Sequence, residues 1–145
     1  MKIVVLKFGG TSVGTIEKIK KVGEIIGDYR KKNYKVIVVT SAMSGVTNEL
    51  IKKSREISEN FSDEEYDVLV SSGEQVACSL IAGRLIHKGL KSRSWLAWQV
   101  PIFTVGLYKN SRINIINKNK ILKYLKKGGI PIIAGFQGVN NEERV

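Results

Sequence analysis

The chain has 145 residues, of which 43% are hydrophobic and 26% are charged. This is the composition of a single globular domain and not of a disordered segment. No apolar run approaches the ~18 residues of a membrane-spanning helix, and nothing resembles a signal peptide, so we expect no membrane segment. The single cysteine, Cys78, excludes an internal disulfide and a multi-cysteine metal site, and it favours a reducing cytoplasm.

The excess of positive charge is confined to one half of the chain. The net charge is +11, and residues 75–141 contain no Asp or Glu but 11 of the 24 basic residues. Such asymmetry is found in proteins that bind nucleic acid, but it also arises when lysines cover the solvated face of a helix. Because no nucleic-acid-binding motif accompanies the charge, we favour the solvated face and predict no nucleic-acid partner.

The spacing of apolar residues predicts an alternation of strands and helices. The predicted strands are buried strands over 2–7, 34–40 and 130–135, a strand over 91–97 and short strands within 100–117. The predicted helices cover 15–32, 46–59 and 119–129, and two more lie within 62–89 with a break near 71–73. Thr15 is expected to cap the first helix, unless it begins earlier at Thr11 or Ser12; the stretch 62–89 is expected to open on a Ser62/Glu65 capping box and to be capped by Gly89. This order predicts an α/β fold with an open, mainly parallel sheet and helices on both faces.

Three loops that follow predicted strands are rich in glycine and hydroxyl side chains. They read "FGGTSVG" over 8–14, "SAMSGVTN" over 41–48 and "GFQGVNN" over 135–141. Ligands of parallel sheets bind beyond the carboxyl ends of the strands, where such loops meet. These loops are therefore the predicted site.

The first loop has the chemistry of a phosphate site. Gly9 and Gly10 allow backbone N–H groups to approach an anion, and Lys7 supplies a point charge beside them. Taken alone, the two glycines are more typical of a tight strand-to-helix turn, and Lys7 can be a surface lysine on an edge strand; the combination of Lys7, the glycines and the hydroxyls of Thr11 and Ser12 favours phosphate. Neither common phosphate motif is present: Thr15 stands where a P-loop has lysine, and no G-x-G occurs in the loop.

Two further residues carry possible binding groups. Glu74, directly after Gly73, is either a first-turn acid facing a helix dipole or a ligand for a substrate ammonium group. Thr47 is either a helix cap or a substrate contact. From the residues alone, the structural interpretation is favoured for both.

Four segments together resemble the aspartokinases of the amino-acid kinase family. They are "KFGGTSVG" at 7–14, "SAMSGVTN" at 41–48, "SSGEQVA" at 71–77 and "IAGFQGVN" at 133–140. Their order and spacing fit that family, and the resemblance covers essentially the whole chain. It implies the amino-acid kinase fold.

The resemblance also implies an activity, which is transfer of the γ-phosphoryl group of ATP, with Mg²⁺, to the side-chain carboxylate of L-aspartate. The product is 4-aspartyl phosphate, the first step toward lysine, threonine and methionine. By the same resemblance, Lys7 is catalytic, and the ATP phosphates are held by Lys7, Phe8, Gly9, Gly10 and Ser41. Thr47 and Glu74 bind aspartate, Glu74 through its ammonium group.

The resemblance also sets expectations about the extent of the chain. Family members continue past "GFQGVN" with a "GRGGSD" segment, an adenine-binding half and regulatory ACT domains. Residues 1–145 are therefore expected to be the N-terminal, aspartate- and phosphate-binding part of a homo-oligomeric enzyme, with little kinase activity alone. Val105 and the segment around Arg112 depart from the family pattern. The alternatives are another amino-acid kinase and a non-catalytic basic nucleic-acid-binding fragment.

Overall fold

The structure is a computed structural model that describes residues 2–106 and 108–145. Leu107, within the region predicted to hold short strands, lies outside the described residues. The elements are β1 (Ile3–Phe8), α1 (Ile16–Lys31), β2 (Lys35–Thr40), α2 (Val46–Ile57), α3 (Asp63–His87), β3 (Ser92–Trp95), β4 (Ile102–Val105), β5 (Arg112–Ile116), α4 (Asn119–Lys126) and β6 (Ile130–Ala134), with 3₁₀ turns over Gly10–Val13 and Tyr108–Asn110.

Four strands form a parallel sheet in the order β1-β2-β6-β3. β1 runs in register with β2, so that Phe8 pairs with Thr40, and Thr40 in turn pairs with Ala134 of β6. The carboxyl ends of these three strands therefore lie side by side. The parallel sheet confirms the fold-class prediction. A separate antiparallel pair, β4 and β5, accounts for the short strands predicted within 100–117.

The prediction that β1 is a buried strand is wrong. β1 lies at the edge of the sheet, and its side chains alternate between half-buried and exposed. Ile3 and Val5 are 43% and 59% exposed because no described helix covers that part of the sheet's second face. In an edge strand that is buried on one face, burial alternates from residue to residue. The continuous apolar run in the sequence conceals this alternation.

Helices cover both faces of the sheet, as predicted. On one face, α1 and α3 pack against β2 and β6 through side chains such as Ile26, Leu85 and Ile132, all fully buried. On the other face, α4 buries Ile121 and Leu125. α2 lies further out and packs on α3.

The lysines of α4 lie on its solvated side. Lys120, Lys123 and Lys126 are exposed, whereas Ile121 and Leu125 are buried. This is the amphipathic arrangement that we favoured for the basic half of the chain. No helix in the described part of the chain is long and apolar enough to span a membrane.

The predicted break near 71–73 is wrong, because α3 is continuous from Asp63 to His87. Ser71 and Ser72 lie within the helix, and their hydroxyls donate to the backbone oxygens of Val68 and Leu69 at 2.9 and 2.6 Å. Gly73 serves close packing, since a Cβ there would lie 3.0 Å from Val46 Cγ1 and 3.2 Å from Ala42 Cβ. The glycine lets α2 and the loop before it approach α3.

The cap predictions had mixed outcomes. Thr15 caps α1, with its Oγ1 accepting from the Lys18 N–H at 3.3 Å. Gly89 follows α3 in the left-handed conformation, with φ +75°. The prediction of a Ser62/Glu65 capping box is wrong. The Ser62 side chain makes no cap hydrogen bond, and the Glu65 carboxylate accepts from Arg144 Nη2 at 2.6 Å instead.

Candidate functional site

The three loops at the carboxyl ends of β1, β2 and β6 enclose one cleft. Backbone hydrogen bonds tie them together: the Ser41 N–H donates to Phe8 O at 3.1 Å, and the Gly135 N–H donates to Thr40 O at 3.0 Å. The cleft has a volume of about 500 Å³ and is lined by Gly10, Thr11, Ser41, Ala42, Met43, Ser44, Gly45, Thr47, Val70, Glu74 and Phe136. The sequence predicted this location.

The first loop leaves β1 and turns at once into the 3₁₀ segment Gly10–Val13. A Cβ on Gly10 would lie 2.9 Å from the Ala42 backbone oxygen, so the fold itself requires glycine there. A Cβ on Gly9 would meet nothing within 4 Å, and its backbone is extended, with φ −78°. The protein's own packing therefore explains Gly10 but not Gly9, which faces open space.

Lys7 and Phe8 point away from each other, as neighbours on a strand do. Lys7 is exposed on the edge strand, which is where the alternative interpretation put it, and its charge also acts on Glu74. The Phe8 side chain packs against the hydrophobic core between α1, α3 and the sheet. Any ligand contact by Phe8 must therefore come from its backbone.

The second loop brings Ser41 and Thr47 to the cleft. Gly45 precedes α2 in the left-handed conformation, with φ +85°, so Thr47 lies in the first turn of the helix and is not its cap. Thr47 is half-buried, and it lines the cleft together with Ser41. The interpretation of Thr47 as a helix cap is thus wrong.

Glu74 is a buried carboxylate in the middle of α3, not a first-turn acid at a helix start. It is only 4% exposed, and its Oε2 accepts from the Phe136 N–H at 2.5 Å. Burial raises the pKa of Glu74 to about 7, against the backbone N–H groups of Phe136 and Gly135 and the charge of Lys7, which lower it. Among the described residues that line the cleft, Glu74 alone is ionisable.

Sequence reasoning placed the loop after β6 at the site but named no functional residue in its segment 135–138. Phe136 supplies the N–H that binds Glu74 and also lines the cleft. Gln137 is 7% exposed, and its side-chain amide bonds to the backbone of both α3 and the loop after β3. The only signal in the sequence was the polar Gln137 within an apolar and glycine-rich stretch, and it does not reveal the partners.

The described residues do not form a metal cage. No group of three or more His, Cys, Asp or Glu side chains is placed to hold an ion within residues 2–106 and 108–145. The cleft offers one carboxylate, already engaged by a backbone N–H, together with hydroxyl groups. Mg²⁺ in proteins is usually held by one or two carboxylates together with substrate phosphates. Because the one carboxylate of this cleft is already engaged, these residues alone do not fit a protein-held Mg²⁺.

The fold and this cleft define a known class of protein. The model of the amino acid kinase family matches residues 2–145, and the chain belongs to that family. Among curated relatives, the aspartokinase of Rickettsia conorii is 47% identical over 148 aligned residues, and that of Geobacillus stearothermophilus is 45% identical over 139. These alignments cover 100% and 96% of this chain but only 37% and 34% of the two relatives.

Solved structures agree on the fold. The aspartate kinase from Synechocystis superposes with a TM-score of 0.81 at 30% identity, over 100% of this chain and 23% of the other. Escherichia coli aspartokinase III, solved with aspartate and ADP, gives a TM-score of 0.82 at 21% identity, over 99% of this chain and 42% of the other. The amino-acid kinase fold is confirmed. The chain spans about a third of the length of the curated relatives cited above.

Proposed function

We propose that this chain is the aspartate- and phosphate-binding part of an aspartate kinase, which transfers the γ-phosphoryl group of ATP to the side-chain carboxylate of L-aspartate. The observation that carries the proposal is the cleft in which Gly10, Ser41, Thr47 and Glu74 converge. Each comes from a segment that resembles the aspartokinases, and the curated relatives are aspartokinases. A cytoplasmic location accords with the free, buried thiol of Cys78.

Glu74 and Thr47 have the chemistry to hold an amino acid. A buried carboxylate is a favourable partner for an ammonium group, and the Thr47 hydroxyl can bind a carboxylate or amine. Glu74 Oε2 accepts from the Phe136 N–H, and an ionised carboxylate has lone pairs beyond that bond with which to accept from an ammonium group. Ionised Glu74 is needed for this contact, and the positive charge of the ammonium group would itself lower the pKa of Glu74.

Lys7 and the first loop have the chemistry to hold the transferring phosphoryl group. The free space at Gly9 accords with a ligand lying against the backbone there. The attacking group is a carboxylate that is already ionised at pH 7, so the reaction requires no general base. Catalysis then consists of positioning and charge neutralisation, for which the Lys7 ammonium group is suited. Mg²⁺ would enter with ATP, held by its phosphates.

The test is a chimera, because the chain spans only part of its relatives. Residues 2–145 would replace the matching segment of the Rickettsia conorii aspartokinase, and aspartyl phosphate would be trapped with hydroxylamine. We expect ATP-dependent hydroxamate with L-aspartate and not with L-glutamate. Within the chimera, Glu74→Gln should abolish the activity, and Glu49→Gln, the same change on an exposed side chain of α2, is its matched control and should leave the rate unchanged. A folded chimera that prefers glutamate, or that forms no hydroxamate, would overturn the proposal.

A further inference from the structure

The segment after β6 is held at both of its ends. The Gly135 N–H donates to Thr40 O at 3.0 Å, and the Val139 N–H donates to Ile102 O at 2.8 Å. Between these points the backbone attaches to α3 only where the Phe136 N–H meets Glu74 Oε2, within the described hydrogen bonds. The position of this donor therefore depends on what holds the middle of the segment.

Gln137 supplies that hold. Its Oε1 accepts from the Ala97 N–H at 3.2 Å, and its Nε2 donates to the Ser71 backbone oxygen at 3.1 Å. Ser71 and Glu74 are three residues apart on α3 and therefore lie on the same side of the helix, one turn apart. The segment thus meets α3 at two points, through the side chain of Gln137 and through the backbone N–H of Phe136.

We propose that Gln137 is a positioning residue of the cleft, whose amide fixes segment 135–138 against α3 so that the Phe136 N–H stays on the Glu74 carboxylate. The amide can serve both partners at once, because its oxygen accepts from the backbone donor and its NH₂ group donates to the backbone acceptor. This inference rests on the proposed function only in taking Glu74 as the residue that binds the ammonium group of aspartate.

The consequence concerns the charge of Glu74. Lys7 from β1 is the charged group that acts on it, and Glu74 in turn raises the pKa of Cys78, four residues further along α3. Neither changes when Gln137 is replaced. Loss of the Phe136 N–H removes a hydrogen bond to the ionised form, and we expect the pKa of Glu74 to rise by about one unit in Gln137→Met.

The expected effect on binding follows from the ionised fraction. With a pKa that moves from about 7 to about 8, the ionised fraction at pH 7 falls from a half to about one eleventh, so affinity for L-aspartate falls about fivefold. At pH 8.5 the same change lowers affinity less than twofold. A loss of affinity that shrinks with rising pH is not expected from a merely structural defect.

The experiment is a ¹³C NMR titration of the Glu74 side-chain carboxyl in the 145-residue chain, followed by L-aspartate binding at pH 7 and pH 8.5. Ser92→Ala is the matched control, because it removes another buried bond from a side chain to the backbone, Ser92 Oγ to Ile130 O at 3.0 Å, at the opposite end of β6. We expect the Glu74 titration to move in Gln137→Met and to stay unchanged in Ser92→Ala. An unchanged titration in Gln137→Met would overturn the proposal.

Amide hydrogen exchange of the unmodified chain decides the question if Gln137→Met does not fold. The proposal predicts that the Ala97 and Phe136 amides become exposed in one common opening, with equal protection. Opening with clearly different free energies would overturn it. If L-aspartate fails to bind to the unmodified chain, the proposed function is weakened, but the titration and the exchange still decide the role of Gln137.

Discussion

Replacement of Glu74 by glutamine should stabilise the protein at neutral pH while it destroys the site. A carboxyl whose pKa is raised in the folded state holds its proton more tightly there than in the unfolded chain, so its ionisation weakens folding. For Glu74, stability is therefore lost as the pH rises from about 4.5 to about 7. Glutamine cannot ionise and escapes this loss, and it still offers an oxygen to the Phe136 N–H.

The size of the effect follows from the shift in pKa. A rise from 4.5 to about 7 corresponds to about 3 kcal/mol of stability above pH 7, as an upper value. We expect Glu74→Gln to unfold at higher urea than the unmodified chain at pH 8, and the difference should vanish near pH 4.5. The gain should be accompanied by loss of L-aspartate binding, a trade between stability and function that is common at functional sites.

The assay is urea unfolding of both proteins between pH 4.5 and pH 8, with the free energy extrapolated to water at each pH. Glu49→Gln makes the same chemical change on an exposed side chain of α2 and should alter stability by less than about 0.5 kcal/mol. If the difference between Glu74→Gln and the unmodified chain is the same at pH 4.5 and pH 8, the reasoning about the buried carboxylate is refuted.

Three further predictions concern residues in and around the cleft. In the chimera, Lys7→Ala should lower the rate of hydroxamate formation by about 10²-fold or more at pH 8.5, where Glu74 stays ionised and L-aspartate binding should change little; equal losses in rate and binding at that pH would argue against a role in charge neutralisation. Gly10→Ala should destabilise the chain by about 1–3 kcal/mol, because the Cβ of the alanine meets the Ala42 oxygen. Gly9→Ala should leave the urea midpoint unchanged and impair only ATP use. Similar urea midpoints for the two variants would contradict this prediction. Gly73→Ala should lower the urea midpoint because the added Cβ meets Val46 and Ala42, although alanine favours a helix over glycine by about 1 kcal/mol. A raised midpoint would mean that α2 moves away from the added Cβ at little cost in free energy.

The sequence was most informative where local chemistry decides the structure. Thr15 caps α1 because a threonine hydroxyl before a helix satisfies a free N–H, and this needs no distant partner. The location of the cleft followed from the general rule about the ends of parallel strands. The predicted helix break is wrong because the glycine at position 73 does not end the helix; it permits the close contact with Ala42 and Val46, which no local pattern reveals.

The parts of the site that escaped prediction depend on contacts between distant segments. Glu74 and Phe136 are separated by 62 residues, and Gln137 binds residues that are 40 and 66 positions away. The burial of Glu74, which raises its pKa, results from the same packing. No pattern within a single segment carries this information, so the charge state of the carboxylate becomes visible only once the fold is known.

The most direct test of the central claim is to locate L-aspartate on the chain by amide chemical-shift mapping, with L-glutamate as the control. The account predicts saturable changes at Thr47, Glu74 and Phe136, none at the lysines of α4, and a weaker response below pH 7 as Glu74 becomes protonated. Saturable changes that lie away from the cleft, or an equal response to glutamate, would contradict it.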